Sequence, residues 1–167
     1  SRILENLHKG QFSGELYPVN PKHNSINNRK CYASIDEIGK IVGLAVIATP
    51  AATIPNILRQ CGDHGIKNAV VISAGFAESG TTGKKLEREL LEVAKQYGIH
   101  VVGPNSLGIM RPAANLNATF SKNQARPGKL ALVSQSGAIC TAILDWAEAK
   151  HIGFSTVVSI GEATDVG

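Results

Sequence analysis

At 167 residues, with 43% hydrophobic and 18% charged side chains, the chain has the balance of a soluble globular protein and the length of one domain, or one domain and part of a second. This excludes a disordered tract or a fibre. No apolar run nears the ~20 residues of a membrane span, and no signal-peptide pattern is read at the start. The net charge of +4 and pI of about 9.1 mildly favour an anionic ligand, but the Lys and Arg residues are scattered without interleaved aromatics, which argues against nucleic acid.

Ile3, Leu4 and Leu7 fall at helical spacing and predict a helix from Arg2 to His8, stopped by Gly10. Glu15 to Pro21 reads as a short strand ending in a turn. Leu44 to Ala48 is a continuous apolar run, the pattern of a strand buried on both faces. After Thr49-Pro50, one helical face carries Ile54, Ile57, Leu58 and Cys61 and ends at Gly65. A strand over Ala69 to Ser73, a helix over Thr82 to Gly98 and a strand over His100 to Val102 follow. In that helix Leu86, Leu90, Leu91 and Val93 form the buried side, opposite Lys84, Lys85, Glu87, Arg88 and Glu89. This alternation is that of an α/β protein with a parallel, doubly wound sheet.

Residues 109–128 break the rhythm. Pro112, Asn115, Asn117 and Pro127-Gly128 mark irregular chain with one short extended piece over Leu116 to Phe120, read as an interdomain connection. A second repeat comprises a strand from Lys129 to Val133, a helix from Gly137 to Lys150 and a strand from Ser155 to Ile160. Ile139, Ala142, Ile143 and Trp146 form its expected packing face. The expected division is a first domain over 1–120, a linker over 121–128 and the start of a second domain over 129–167. A doubly wound domain begins with a strand, and this sequence begins with a helix, so a fragment lacking the first strand is expected.

The three cysteines, Cys31, Cys61 and Cys140, are far apart and without C-x-x-C spacing, which reads as reduced thiols in a cytoplasmic protein. The five histidines, His8, His23, His64, His100 and His151, lack metal-ligand spacing, so no metal site is expected.

Ligands of open parallel sheets bind at the carboxyl ends of strands. Where a dinucleotide fold carries an acid for the ribose, this chain reads Val19-Asn20-Pro21-Lys22-His23. A Lys there suits a phosphorylated ribose, as in NADP or coenzyme A, and an ordinary proline turn with a solvated Lys explains it equally. Thr49 and Pro50 fit a helix cap and first position. The small residues of Ser73-Ala74-Gly75 would let a narrow chain approach the backbone, or form a plain tight turn. Gly103-Pro104-Asn105-Ser106-Leu107-Gly108 over-determines its backbone, which points to a functional loop. Ser134-Gln135-Ser136-Gly137 enters a helix without the Lys of a Walker loop or the Gly of a serine-hydrolase elbow, yet hydroxyls and free amides suit a phosphate.

Together, Val19-Asn20-Pro21-Lys22, Ile47-Ala48-Thr49-Pro50, Ser73-Ala74-Gly75-Phe76, the 103–108 loop and Ser134-Gln135-Ser136-Gly137 resemble, in order and spacing, the NDP-forming acyl-CoA synthetases, relatives of the succinyl-CoA synthetase α subunit. The resemblance implies a Rossmann-type CoA-binding domain followed by the start of a flavodoxin-like ligase domain. It also implies interconversion of acid, CoA and NTP with acyl-CoA, NDP and phosphate, through an acyl phosphate and a phosphohistidine. Asn20, Pro21 and Lys22 would face the nucleotide of CoA or acetyl-CoA. Thr49, Pro50, Ser73, Ala74 and Gly75 would line the cleft, and Asn105 and Ser106 would lie near the thioester. Ser134, Ser136 and Gly137 would receive the phosphoryl group. Many such synthetases have Cys where Ser106 stands, and the phosphohistidine is expected beyond Gly167.

Gly108 to Pro112, Leu116 to Ser121 and Ile143 to Ala147 further resemble bacterial lysine acetyltransferases that fuse a synthetase-like region to a GNAT domain. The leading expectation is therefore the acetyl-CoA-sensing region of such a protein. A working acyl-CoA synthetase, paired with an ATP-grasp domain that holds NTP and Mg, is the alternative. An NADP-dependent oxidoreductase is more remote. A CoA thioester and a homo-oligomer are the other expected partners.

Overall fold

The computed structural model describes residues 2–166; Ser1 and Gly167, the outer limits of the two expected domains, lie outside the described residues. In chain order the elements are α1 (Arg2–Lys9), β1 (Ser25–Ile26), β2 (Arg29–Lys30), β3 (Ala45–Ile47), α2 (Ile54–Asp63), β4 (Asn68–Val71), α3 (Thr81–Tyr97), β5 (His100–Val102), β6 (Gly108–Arg111), β7 (Leu116–Thr119), β8 (Pro127–Ser134), α4 (Gly137–Ala149) and β9 (Phe154–Ser159). No described helix is long and apolar enough to cross a membrane.

Strands β3, β4 and β5 form a parallel sheet in that order, with Val46 opposite Val70 and Val70 opposite Val102. The core beside it gathers Ile54, Leu58 and Cys61 of α2, Leu90 and Val93 of α3, and Phe76. Burial raises the Cys61 thiol to about 11, so it packs as an inert apolar group. The central strand β4 has Ala69, Val70 and Val71 fully covered, whereas Ala45 and Val46 of β3 are only half-buried. The apolar run at 44–48 is thus a strand, but an edge strand with one covered end, not one buried on both faces.

The 15–21 segment forms no strand. It makes a single parallel bridge, Val19 to Tyr32, because Pro18 and Pro21 offer no N–H to a ladder. Instead β1 and β2 close a two-residue hairpin at Asn27-Asn28, both with positive φ (51° and 59°), the residue type that tolerates such a turn.

The second sheet has the order β7-β6-β9-β8, with β8 and β9 parallel and β6 antiparallel to both its neighbours. This corrects the irregular connection expected over 109–128. Pro112 and Asn115, which suggested a loop, turn the chain between β6 and β7, with Asn115 at φ 54°. Both strands hydrogen-bond within the second sheet, although the expected division assigns them to the first domain, and β8 begins inside the expected linker. Even α1 docks there: Asn6 Nδ2 donates to the carbonyls of Thr119 and Ser121 at 2.8 Å.

Helix α4 also differs from expectation. Its buried face is Cys140, Leu144 and Ala147, packed on Leu107, Met110 and Phe154, while Ile139 and Trp146 are more than half exposed. The helix is apolar on both sides, so periodicity alone offered two candidate faces.

Candidate functional site

The carboxyl ends of the first sheet are tied edge to edge. Ser73 Oγ, after β4, donates to the Thr49 carbonyl after β3 at 2.6 Å, and the Asn105 amide, after β5, donates to the Ser73 carbonyl at 3.0 Å. Thr49, Pro50, Ser73, Ala74, Gly75 and Asn105 are therefore brought together along one rim. Thr49 does not cap α2: a 3-10 turn over Ala51–Thr53 precedes the helix, and Thr53 Oγ1 lies 2.9 Å from Thr49 Oγ1. Asn20, Pro21 and Lys22 form a separate turn, closed by the Lys22 amide on Asn20 Oδ1 at 2.9 Å. The Asn20 backbone binds within 18–32, to Tyr32 and His23, and the Lys22 side chain is exposed.

The 103–108 loop crosses from the first sheet to the second. Gly103 has φ +107°, and a Cβ there would lie 2.3 Å from the Val71 carbonyl oxygen, so only glycine fits so close to β4. Asn105 holds φ 56°. Ser106 is buried, and its hydroxyl donates to the Ser159 carbonyl at 2.5 Å while accepting from the Gly108 amide at 2.9 Å. Ser159 Oγ answers by accepting from the Leu107 amide at 3.1 Å. Both hydroxyls thus latch the loop to β9, and Ser106 keeps a place in the lining of the neighbouring cleft.

Ser136 and Gly137 lie across a cleft of about 460 Å³ from this loop, which Asn105, Ser106, Leu107, Ser136, Gly137 and Ala138 help to line, while Ser134 ends β8 just before them. Ser136 is the N-cap of α4, its Oγ accepting from the Ile139 amide at 3.3 Å. Ser134 Oγ accepts from the Ser136 amide at 3.1 Å. These hydroxyls brace the turn. The amides of Gly137 and Ala138, in the first turn, have no intrahelical acceptor and carry the positive end of the helix dipole, with no acidic side chain in that turn to cancel it. A Cβ on Gly137 would come within 3.1 Å of Leu107 Cβ, so glycine lets the helix start close to the loop.

Two carboxyls absent from the sequence-derived set complete the rim. Glu78 accepts from the amides of Gly75 and of Phe76, the latter at 3.0 Å. Glu162, just past β9, donates its backbone amide to the Pro104 carbonyl at 3.0 Å. Desolvation and the neighbouring Glu78 raise Glu162 to about 7, whereas Glu78 is lowered, its burial outweighed by the amides of Gly75 and Phe76 and by Glu162. The spacing of Glu78 from Gly75 was a usable signal for a turn-closing carboxylate; nothing local in the sequence singles out Glu162.

Residues 1–112 match the family described as CoA binding domain, which is two thirds of the chain. The chain belongs to the CoA-binding domain family. Residues 127–167 of this CoA-binding chain match a succinyl-CoA ligase like flavodoxin domain. An ADP-forming acetate–CoA ligase I of Archaeoglobus fulgidus is 47% identical over 159 residues, covering 95% of this chain and 23% of the relative. The α subunit of ADP-forming acetate–CoA ligase I of Pyrococcus furiosus is 44% identical over 168 residues, covering 98% of this chain and 36% of its own. Among solved structures, the dinucleotide forming acetyl-coenzyme A synthetase 1 of Ca. Korarchaeum cryptofilum, in complex with phosphate and ADP, has a TM-score of 0.94 at 38% identity, over all of this chain and 36% of that one. The chain thus spans between 23% and 36% of the length of these relatives.

These relatives are ligases, and they favour the acyl-CoA synthetase alternative over the acetyl-CoA-sensing acetyltransferase region. The segments that suggested the acetyltransferase have a structural explanation. Gly108–Arg111 and Leu116–Thr119 are paired strands, and Leu144 and Ala147 lie on the buried face of α4, so these positions serve packing.

Proposed function

We propose that this chain is the α-type portion of an ADP-forming acyl-CoA ligase, binding CoA along the first sheet and presenting the thioester end to the start of α4. The observation that carries this is the convergence of the Ser73–Gly75 turn, Asn105 and the free amides of α4 on one side of the molecule, in a chain of the CoA-binding family. The small, partly exposed Ala74 and Gly75 leave room for a narrow pantetheine-like arm. Lys22, exposed beside its Asx turn, is free to meet a ribose phosphate.

The ligase reaction passes a phosphoryl group through an acyl phosphate. A dianion placed at Gly137 and Ala138 would be held by two fixed N–H dipoles that need no reorganisation as charge develops. Asn105, held in place by its backbone bond to Ser73, would orient the acyl end. The phosphohistidine of the proposed reaction would be supplied from elsewhere in the enzyme. ATP and its Mg would likewise be held outside these residues.

Titration calorimetry with CoA and dephospho-CoA tests the reading. Lys22→Ala should weaken CoA about tenfold while changing dephospho-CoA little, the loss of one exposed charge–phosphate contact. Equal losses for the two ligands would remove Lys22 from the site, and absence of CoA binding by the unaltered chain would contradict the proposal.

A further inference from the structure

Phe120 comes directly after β7, on a backbone that is fixed from both sides. Its neighbours Thr119 and Ser121 are buried, and their hydroxyls accept the amides of Ser121 and Asn123, each at 3.1 Å. Burial alternates across the three residues, as it does in extended chain, so Phe120 faces outward. Asn6 of α1 holds the carbonyls of Thr119 and Ser121 at 2.8 Å, and the Phe120 amide donates to the Leu107 carbonyl at 3.3 Å. The residue is thus held 49% exposed in the lining of the cleft between the 103–108 loop and α4.

The two walls of that cleft differ in chemistry. The α4 wall presents the amides of Gly137 and Ala138, which suit an anion. The loop wall, to which Phe120 is bonded, presents an aromatic side chain. Every described residue of the lining is uncharged, and Thr141 spends its hydroxyl proton on the Gly137 carbonyl at 2.9 Å. A ligand with one anionic end and an apolar remainder matches both walls at once. A second carboxylate would lose its water without meeting a cation.

We propose that Phe120 is a specificity-determining residue, the apolar wall that receives the hydrocarbon part of a monocarboxylic acyl group whose carboxyl or acyl-phosphate end lies at the start of α4. This rests on the ligase reading above and adds a substrate class to it. Full burial of a methylene is equivalent to about fourfold in affinity, so a wall on one side of the ligand should give about twofold for each methylene. The clamp from Asn6 and Leu107 keeps the side chain in place before the ligand arrives, so little ordering cost is set against that gain.

Amide-shift titrations of the chain with acetate, propionate, butyrate, succinate and inorganic phosphate test the assignment. The three monocarboxylates should move Gly137 and Ala138, with affinity rising about twofold per methylene, and succinate should bind more weakly than butyrate. The butyrate methyl protons should show nuclear Overhauser contacts to the Phe120 ring. In Phe120→Ala the loss for butyrate should exceed the loss for acetate by about fourfold, whereas a merely structural role would weaken both alike. Phe120→Leu, which keeps an apolar side chain, should retain most of the gain with chain length. An equal gain with chain length in the unaltered chain and in Phe120→Ala would overturn the assignment, as would succinate binding as tightly as butyrate. Phosphate shifts at Gly137 and Ala138 without a response to any monocarboxylate would overturn the acyl wall and leave the phosphoryl site standing. No response to monocarboxylates, phosphate or CoA would remove the ligase reading together with it.

Discussion

Residues 103–108 take their shape from distant partners, whereas residues 134–137 hold themselves. In the first loop, Gly103 presses on Val71, Asn105 bonds to Ser73, and Ser106 and Leu107 bond to Ser159. In the second, Ser134 binds Ser136, and Ser136 caps the helix it begins. A long-range loop transmits changes in either sheet to the ligand rim. The second turn is braced by its own hydroxyls, although Ser134 still pairs with β9 and Gly137 packs beside Leu107. On the function proposed above, such a site would adjust the acyl end while keeping the phosphoryl end fixed.

The contrast can be broken at its strongest point first. Gly103→Ala forces a Cβ to 2.3 Å from a backbone oxygen at φ +107°, and should cost about 3 kcal/mol or more in urea-melting stability. A cost near zero would mean that the loop is not pinned to β4. Ser106→Ala removes the partner of a buried carbonyl and of the Gly108 amide, for an expected loss of about 2 kcal/mol. Near-neutral behaviour, together with undisturbed amide signals for 105–108, would deny the latch. Ser136→Ala should cost only about 1 kcal/mol, the usual value of a lost N-cap. Its spectral changes should stay within the first turns of α4; changes spreading to Ser73 or Asn105 would show that the two turns are not independent.

Much of this arrangement was legible in the residues. The parallel strands and helices of 45–102 announce themselves by period and by apolar runs, and the glycines and prolines of 103–108 mark a constrained loop. The β6–β7 pair was not legible as sheet, because Pro112 and Asn115 look the same whether they open a loop or turn a hairpin; only the partner β9 decides. The buried side of α4 was hidden by a helix apolar all round. The resemblance placed Ser106 near a thioester, and no local pattern announced the bond of its hydroxyl to Ser159, a partner 53 positions away. Glu162 depends on the same kind of long-range meeting and has no local signature.

The claim that both turns face one ligand site is tested most directly by mapping amide shifts in the intact chain, adding CoA and then inorganic phosphate. CoA should move Ser73, Ala74, Gly75 and Asn105, and phosphate should move Gly137 and Ala138, with Asn105 responding to both. Shifts from either ligand confined to surfaces away from these residues would contradict the site.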